Sequence, residues 1–367
     1  MSKVYFASSR AEGNKGLLEK FTELIRLVRI DWLQAKETVC IKTHFGEDGN
    51  TTFVSPLYIR KVVDLLKEKG AYPVIGDTNT LYSGRRMQGA THLELAIEHG
   101  FDYSVVQAPL VILDGLKGQY QRAISIDKKH FQKVFLAGML EDIDSMICVS
   151  HFKGHLAIGF GGAVKNLAMG LATRKQKQLM HADVKPKYLE KKCIKCRKCS
   201  QICPVNAITW EDNIFQLDNN ICIGCAECIT ACPTGALKIL WNETPENMAE
   251  KVAETALGAV EYLKRKIFYC NFLLDITPHC DCFGLSDNAV VEDIGILLSS
   301  DPVAIDKASF DLTAQARKIY NSVIKGEEGE PFRNLYKDVD PLQQLNYAAK
   351  IGLGKLDYEL VKPDLSG

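Results

Sequence analysis

Apolar positions recur with two spacings along the chain, and their alternation predicts strands followed by helices. From Asn14 to Ile30, Leu17, Leu18, Phe21, Leu24, Ile25 and Val28 share one helical face. Thr38 to Thr43 is a short apolar strand that ends in the polar stretch His44 to Asn50. Ser55 caps a helix with Pro56 at its first position, and that helix runs to Gly70. Tyr72 to Gly76 is the next strand, ending at Asp77, and Thr91 to His99 is a helix closed by Gly100. Ser145 to Val149 is a strand opening into a glycine-rich loop, His151 to Gly162, before a helix from Ala163 to Ala172. Strand, loop and helix in this order, with nearly continuous apolar strands, predict an α/β fold with a mainly parallel sheet flanked by helices. The polar loops at 44–50, 77–86 and 151–162 each follow a strand, so they are expected to meet at one sheet edge, where ligands bind.

The texture changes at Lys187. Tyr188 to Trp241 is rich in cysteine and lacks long amphipathic periods. Beyond it the α/β pattern returns, with a helix at Pro245 to Lys266, a strand at Ile267 to Leu274, a strand candidate at Val290 to Leu298, and a helix from Asp301-Pro302 to about Asn321. Residues 188–241 therefore read as an insertion into an α/β domain made of 1–187 and 242–367. Three domains in a row is the alternative.

Composition narrows the function classes. Lysine plus arginine equals aspartate plus glutamate, 45 of each, which argues against a broad basic face for nucleic acid. The sequence has neither an apolar run of membrane-spanning length nor an apolar signal core at its start, so a cytoplasmic location without membrane association is expected. Thirteen cysteines clustered in a chain of 367 residues point to metal rather than to disulfides.

That clustering is a repeat. Residues 193–208 read CIKCRKCSQICPVNAI and residues 222–237 read CIGCAECITACPTGAL, an offset of 29 residues. Each copy is Cys-x-x-Cys-x-x-Cys-x-x-x-Cys-Pro, with soft thiolates at the spacing that wraps an iron–sulfur cubane. The fourth cysteine of each copy cannot bend back and serves the other cluster. Cluster I is expected on Cys193, Cys196, Cys199 and Cys232, and cluster II on Cys222, Cys225, Cys228 and Cys203. Over about 54 residues the segment resembles a bacterial-type two-cluster ferredoxin, so two [4Fe–4S] clusters are the expected cofactors. A pair of zinc knuckles has no use for the doubled, proline-terminated spacing. Lys191, Lys192, Lys195, Arg197 and Lys198 crowd the first copy, which predicts a higher potential for cluster I or a docking face for an acidic redox partner.

The rest of the chain is too large to be a mere holder of clusters. At the strand end after Val149, Lys153, His155 and Lys165 are candidates to bind and polarise an anionic or carbonyl group. His151, Gly161, Gly162 and Asn166 accompany them, with His44 and Asp77 contributed by the other loops, as cofactor- or ligand-binding candidates. In His279-Cys280-Asp281-Cys282, Cys280 and Cys282 are candidates for a third metal or cluster, joined by Cys270, His151 or His155, or for a redox dithiol. Asp301 reads as a helix cap.

The stretches SHFKGHLAIGFGGAVKNLAMG, HCDCFG and IGILLSSDPVAIDKASFDL resemble those of a family of uncharacterised iron–sulfur-centre proteins. That family is known by a domain of unknown function, often with a ferredoxin-type insert. The resemblance implies the inserted architecture and names no reaction. Three readings stay open: a ferredoxin-type oxidoreductase relaying electrons to a substrate, flavin-like cofactor or metal in the α/β domain; a non-catalytic electron-transfer or reductive-activation partner of another enzyme; and an iron–sulfur sensor or assembly factor. The expected partner is a redox protein or a small-molecule substrate, and self-association into a homo-oligomer is left open. The sequence carries neither a dinucleotide fingerprint nor a Walker-type loop.

Overall fold

The computed structural model describes the chain except residues 29, 83, 182–185, 204, 220, 223–226, 240–242, 320–321, 325–328 and 366–367. Its centre is an eight-stranded sheet. In order across the sheet the strands are Tyr358–Val361, Ser2–Ser8, Gly295–Ser299, Ile267–Leu273, Ser145–His151, Thr38–Lys42, Tyr72–Asp77 and Leu110–Ile112. The five strands from Ile267–Leu273 to Leu110–Ile112 pair parallel with one another. Gly295–Ser299 runs antiparallel to both of its neighbours. Strands on both sides of residues 188–241 thus belong to one sheet, since Ile267–Leu273 lies directly against Ser145–His151.

The central strands are buried along their whole length because both faces of the sheet are covered. Side chains alternate between the two cores, as the pleat requires. Met146, Cys148, Tyr269 and Leu297 join one core, under the helices Ala163–Leu171, Pro245–Tyr262 and Pro302–Gln315. Ile147, Val149, Phe268, Cys270, Phe272, Ile296 and Leu298 join the other, under Leu17–Leu27 and Pro56–Glu68. The caps are local in origin. Ser55 accepts from the Leu57 N–H, and Asp301 accepts from the Val303 and Ala304 N–H groups at 2.9 and 3.0 Å.

Several elements depart from the expected pattern. Only Gly295–Ser299 of the candidate strand 290–298 is extended in the sheet. Val290 and Ile294 instead donate to the carbonyls of Ile276 and Leu273, tying the preceding segment beneath the loops. The helix after Asp301 stops at Gln315, and Asn321 lies outside the described residues. The stretch after His151 is a hairpin rather than an open loop, with Lys153–His155 paired to Gly159–Gly161. The helix Arg174–His181 and the strand Ser2–Ser8 were not expected.

Residues 186–239 form two small hairpin-like pairs. Pro186–Tyr188 pairs with Leu237–Ile239, and Ile208–Glu211 pairs with Ile214–Leu217. Their apolar centre is a small cluster of Cys199, Ile208, Cys228 and Leu237, with Tyr188, Trp210 and Phe215 packed around it. Among the described residues, no helix is long and apolar enough to cross a membrane.

Candidate functional site

Four adjacent parallel strands point their carboxyl ends at the same sheet edge, and a cavity of about 110 Å³ lies there. The loop after Thr38–Lys42 supplies His44 to its wall, and the segment after Tyr72–Asp77 supplies Asp77, Tyr82 and Arg86. From the end of Ser145–His151 onward come His151, Lys153, His155, Gly162, Lys165 and Asn166, and the loop beyond Ile267–Leu273 brings Cys280 and Cys282. Of the candidates outside the cysteine repeat, Gly161 and Cys270 do not line the cavity.

The loops are locked together by backbone. The Asp281 carbonyl accepts from the Glu47 N–H at 3.0 Å, and the Cys282 carbonyl accepts from the Tyr82 hydroxyl at 3.1 Å. Gly154 lies so close to Pro278 that an added Cβ would sit 2.2 Å from its carbonyl oxygen. Glycine is required there by contact with the neighbouring loop.

Much of the charge is committed to internal partners. Asp77 pairs with Lys42 at 3.0 Å and with Arg86 at 3.1 Å. Burial opposes its charge, but Lys42 and Arg86 outweigh burial and hold the carboxyl at about 2. Asn166 accepts from Lys42 at 2.8 Å and donates to the Val149 carbonyl and the Ser150 hydroxyl. His151 faces Asp281 through Nδ1 at 2.8 Å and the carbonyls of Leu274 and Asp275 through Nε2 at 2.9 and 3.1 Å. Both of its ring nitrogens sit where a donor is wanted, so it is an anchor rather than a free ligand. Lys153 donates to the His151 carbonyl at 2.8 Å and lies 3.3 Å from Asp281.

The glycine-rich turn does not offer its helix N-terminus to a ligand, contrary to expectation. Asp306, from the helix Pro302–Gln315, accepts from the Ala163 and Val164 N–H groups at 2.7 and 2.9 Å, and from Asn271 at 2.7 Å. The anion seat is therefore filled by the protein's own carboxylate. An added Cβ on Gly162 would lie 2.3 Å from Asp306 Oδ1, and one on Gly161 would lie 2.8 Å from Lys165 Cδ. Those glycines admit Asp306 and Lys165. Burial pushes the Asp306 carboxyl up to about 6 despite these donors.

A smaller group is not tied down in this way. Lys165 donates to the Cys280 sulfur at 2.8 Å. A hydrogen bond from Cys282 pulls the Cys280 thiol well below its ordinary range, against burial and with help from Lys165 and Lys153. Cys282 moves up in response, through that same hydrogen bond and burial. Ligand atoms of His155, Cys280 and Cys282 all lie within 4.8 Å of one another. Burial, then Lys165, keeps His155 neutral. Cys270 sits in the core of its strand, where burial pushes its thiol up, and His151 is engaged elsewhere; His155 is the residue that accompanies the two cysteines.

Sequence reasoning missed Arg86, Lys177 and His181, which also line the cavity. Lys177 donates to the Thr78 hydroxyl at 2.8 Å, and burial lowers it to about 8. Burial lowers His181 to about 4. The loop 77–86 was visible as a candidate edge, but the helix Arg174–His181 has no apolar stripe to announce it.

In the cysteine segment, Cys193, Cys196, Cys199 and Cys232 line one small cavity together with Tyr188, Ile194 and Trp210. The Ala207 N–H donates to Cys203 Sγ and the Ala236 N–H to Cys232 Sγ, each at 3.2 Å, so both repeats make the same i to i+4 contact. Cys228 is buried and Cys222 half-buried, while Cys225 lies outside the described residues. Lys191, Lys192, Lys195, Arg197 and Lys198 are all exposed.

Residues 39–311 match the family model described as a domain of unknown function (DUF362). The chain belongs to that family. The match encloses both the cavity residues and the cysteine segment. No curated protein matches the sequence. Among solved structures, the lactate racemase apoprotein from Thermoanaerobacterium thermosaccharolyticum is 13% identical with a TM-score of 0.40, covering 86% of this chain and 58% of that one. A structural-genomics protein from Thermotoga maritima is 11% identical with a TM-score of 0.48, covering 84% of this chain and 61% of that one. The chain spans less than two thirds of either protein's length.

Proposed function

We propose that this chain is an iron–sulfur redox protein in which an inserted ferredoxin-like domain, residues 188–241, exchanges electrons with a small molecule bound in the α/β cavity. The doubled motif carries the reading, and the cavity shared by Cys193, Cys196, Cys199 and Cys232 supports it. That set joins three cysteines of one repeat to the last cysteine of the other, the crossed pattern that two-cluster binding needs. Cys203, Cys222, Cys225 and Cys228 would hold the second cluster. The clusters would supply single electrons at low potential. The chain's own contribution is thiolate ligation, backbone N–H groups aimed at sulfur, and exclusion of water by Tyr188 and Trp210.

The cavity favours a relay to a bound reactant over a bare docking surface. It is walled by Arg86, Lys153, Lys165 and Lys177, while Asp77, the one carboxylate among the described residues of its wall, is neutralised by Lys42 and Arg86. A small anion or polarised carbonyl compound suits that field. At about 110 Å³ the space falls below the roughly 300 Å³ where drug-sized pockets begin. A ligand of a few heavy atoms therefore fits better than a flavin.

The test is oxygen-free purification with iron and sulfide counting. Two cubanes give roughly eight of each per chain. Cys193→Ser and Cys222→Ser should each remove about half, with a matching loss of the reduced-state EPR signal. Full iron retention in both variants would refute the ligation.

A further inference from the structure

We infer that His155, Cys280 and Cys282 form a mononuclear site for a zinc-class divalent ion, with its fourth position open to the cavity. The site is separate from the cysteine repeat and needs none of its residues.

Geometry carries the inference. A tetrahedral ion with bonds of about 2.0–2.3 Å places its ligand atoms roughly 3.3–3.8 Å apart. The three side chains already hold theirs within 4.8 Å of one another. Their separations have to close by at most about 1.0–1.5 Å to reach that geometry. Two sulfurs and one imidazole are a soft donor set that selects zinc-like ions over magnesium or calcium. Cys280 accepts from Lys165 at 2.8 Å, a contact that still leaves sulfur lone pairs for a metal, whereas the neighbouring candidates are committed to one another. Asp77, His151 and Asn166 are tied into internal pairs. Among the described residues, His155 makes one long hydrogen bond, from the Ala157 N–H at 3.3 Å.

The supporting residues fit the same purpose. Asp281, between the two cysteines, is fixed by His151 and Lys153, and its carbonyl by Glu47. The Cys-x-Cys turn is therefore positioned from both sides, as a preformed site requires. Lys165 touches Cys280 at 2.8 Å. A divalent ion balanced by two thiolates, with that ammonium beside it, leaves one net positive charge at the cavity. The open position would then take an anionic or carbonyl oxygen.

The probe is Zn²⁺ alone, added to the full chain without oxygen. The quantity read is the difference in bound zinc between the native chain and a Cys280→Ser, Cys282→Ser variant. One zinc per chain is expected from that difference whether or not clusters are present, while iron and sulfide counts report separately on the redox proposal. Zinc-edge absorption on the native chain, after subtracting the variant, should show two sulfurs near 2.3 Å and a nitrogen near 2.0 Å. His155→Ala should weaken zinc binding by 10-fold or more while circular dichroism stays native. Equal zinc in the native chain and the folded double variant would overturn the site. So would a Cys280–Cys282 disulfide in the oxygen-free protein. If the double variant does not fold, unchanged zinc affinity in His155→Ala would overturn it as well.

Discussion

The two cysteine-bearing regions are built on opposite terms. The cavity sits on the ends of four parallel strands, and its charged groups are paired with one another at 2.8–3.3 Å before any ligand arrives. Among its described residues, the segment 186–239 has a small apolar centre of Cys199, Ile208, Cys228 and Leu237. One site is preorganised by its scaffold. On the proposed function, the other is a scaffold that would depend on what its cysteines hold, as small metal-bound domains do. Chemistry that must be positioned belongs in the first, and a cofactor that organises its own surroundings belongs in the second.

On the proposed function, the sharpest way to break this contrast is to remove iron. Chelation under oxidising conditions should raise amide hydrogen exchange across 186–239 towards that of an unfolded peptide, while 145–151 and 267–273 keep their protection. Persistent protection of the segment without iron would show that its fold is self-supporting.

The next largest effect concerns the cavity's internal pairs. Asp77→Ala removes the carboxylate between buried Lys42 and Arg86, leaving Arg86 a longer pair to Glu47 at 3.7 Å, and should cost about 3–5 kcal/mol in denaturant unfolding. The same carboxylate sets an acid limit. Its folded value of about 2 lies below the ordinary 3.8, so its stabilisation is complete above pH 4 and is lost as pH falls through 2. That amounts to about 2–3 kcal/mol. Asp77→Asn should flatten the stability curve between pH 4 and 2, and an unchanged slope would assign the acid limit elsewhere, with Asp281 the next candidate.

Gly162→Ala is a smaller probe. It forces a methyl group towards Asp306 and should cost about 1–3 kcal/mol, with Asp306→Asn on the same background relieving little because the contact distance is unchanged. The smallest effect belongs to the basic face of the first repeat. Its five cations are exposed and screened, so on the proposed ligation replacing Lys195, Arg197 and Lys198 with Gln should lower the potential of the cluster on Cys193, Cys196, Cys199 and Cys232 only modestly, and less at high salt. A rise in potential would reverse the assigned electrostatic sense.

What could be read from the chain follows the same division. The central strands were legible because burial on both faces leaves a continuous apolar run, as in Ile267–Leu273. The convergence of His44, Asp77 and the 151–166 residues was legible because parallel strands share an edge. The helix Arg174–His181 was not, because Gln176 and Lys177 are buried for their hydrogen bonds rather than for apolar area. Gln176 accepts from the Phe135 N–H and donates to Thr255. The occupant of the helix N-terminus at Ala163 was hidden for another reason. Asp306 lies more than a hundred residues away, and a local motif holds no trace of it. The strand Ser2–Ser8 escaped notice because only Val4 and Ala7 along it are buried.

The first strand of the sheet also sets a schedule. Ser2–Ser8 is hydrogen-bonded on one side by Gly295–Ser299 and on the other by Tyr358–Val361. Both partners of Ser2–Ser8 therefore lie beyond the cysteine repeat in the sequence and are made after it. At roughly 5–20 residues per second, the cysteines of the repeat wait on the order of ten seconds before the later partner is made. On the proposed function, iron would be loaded onto them during that interval, while the sheet on either side of them in sequence still lacks its Tyr358–Val361 strand.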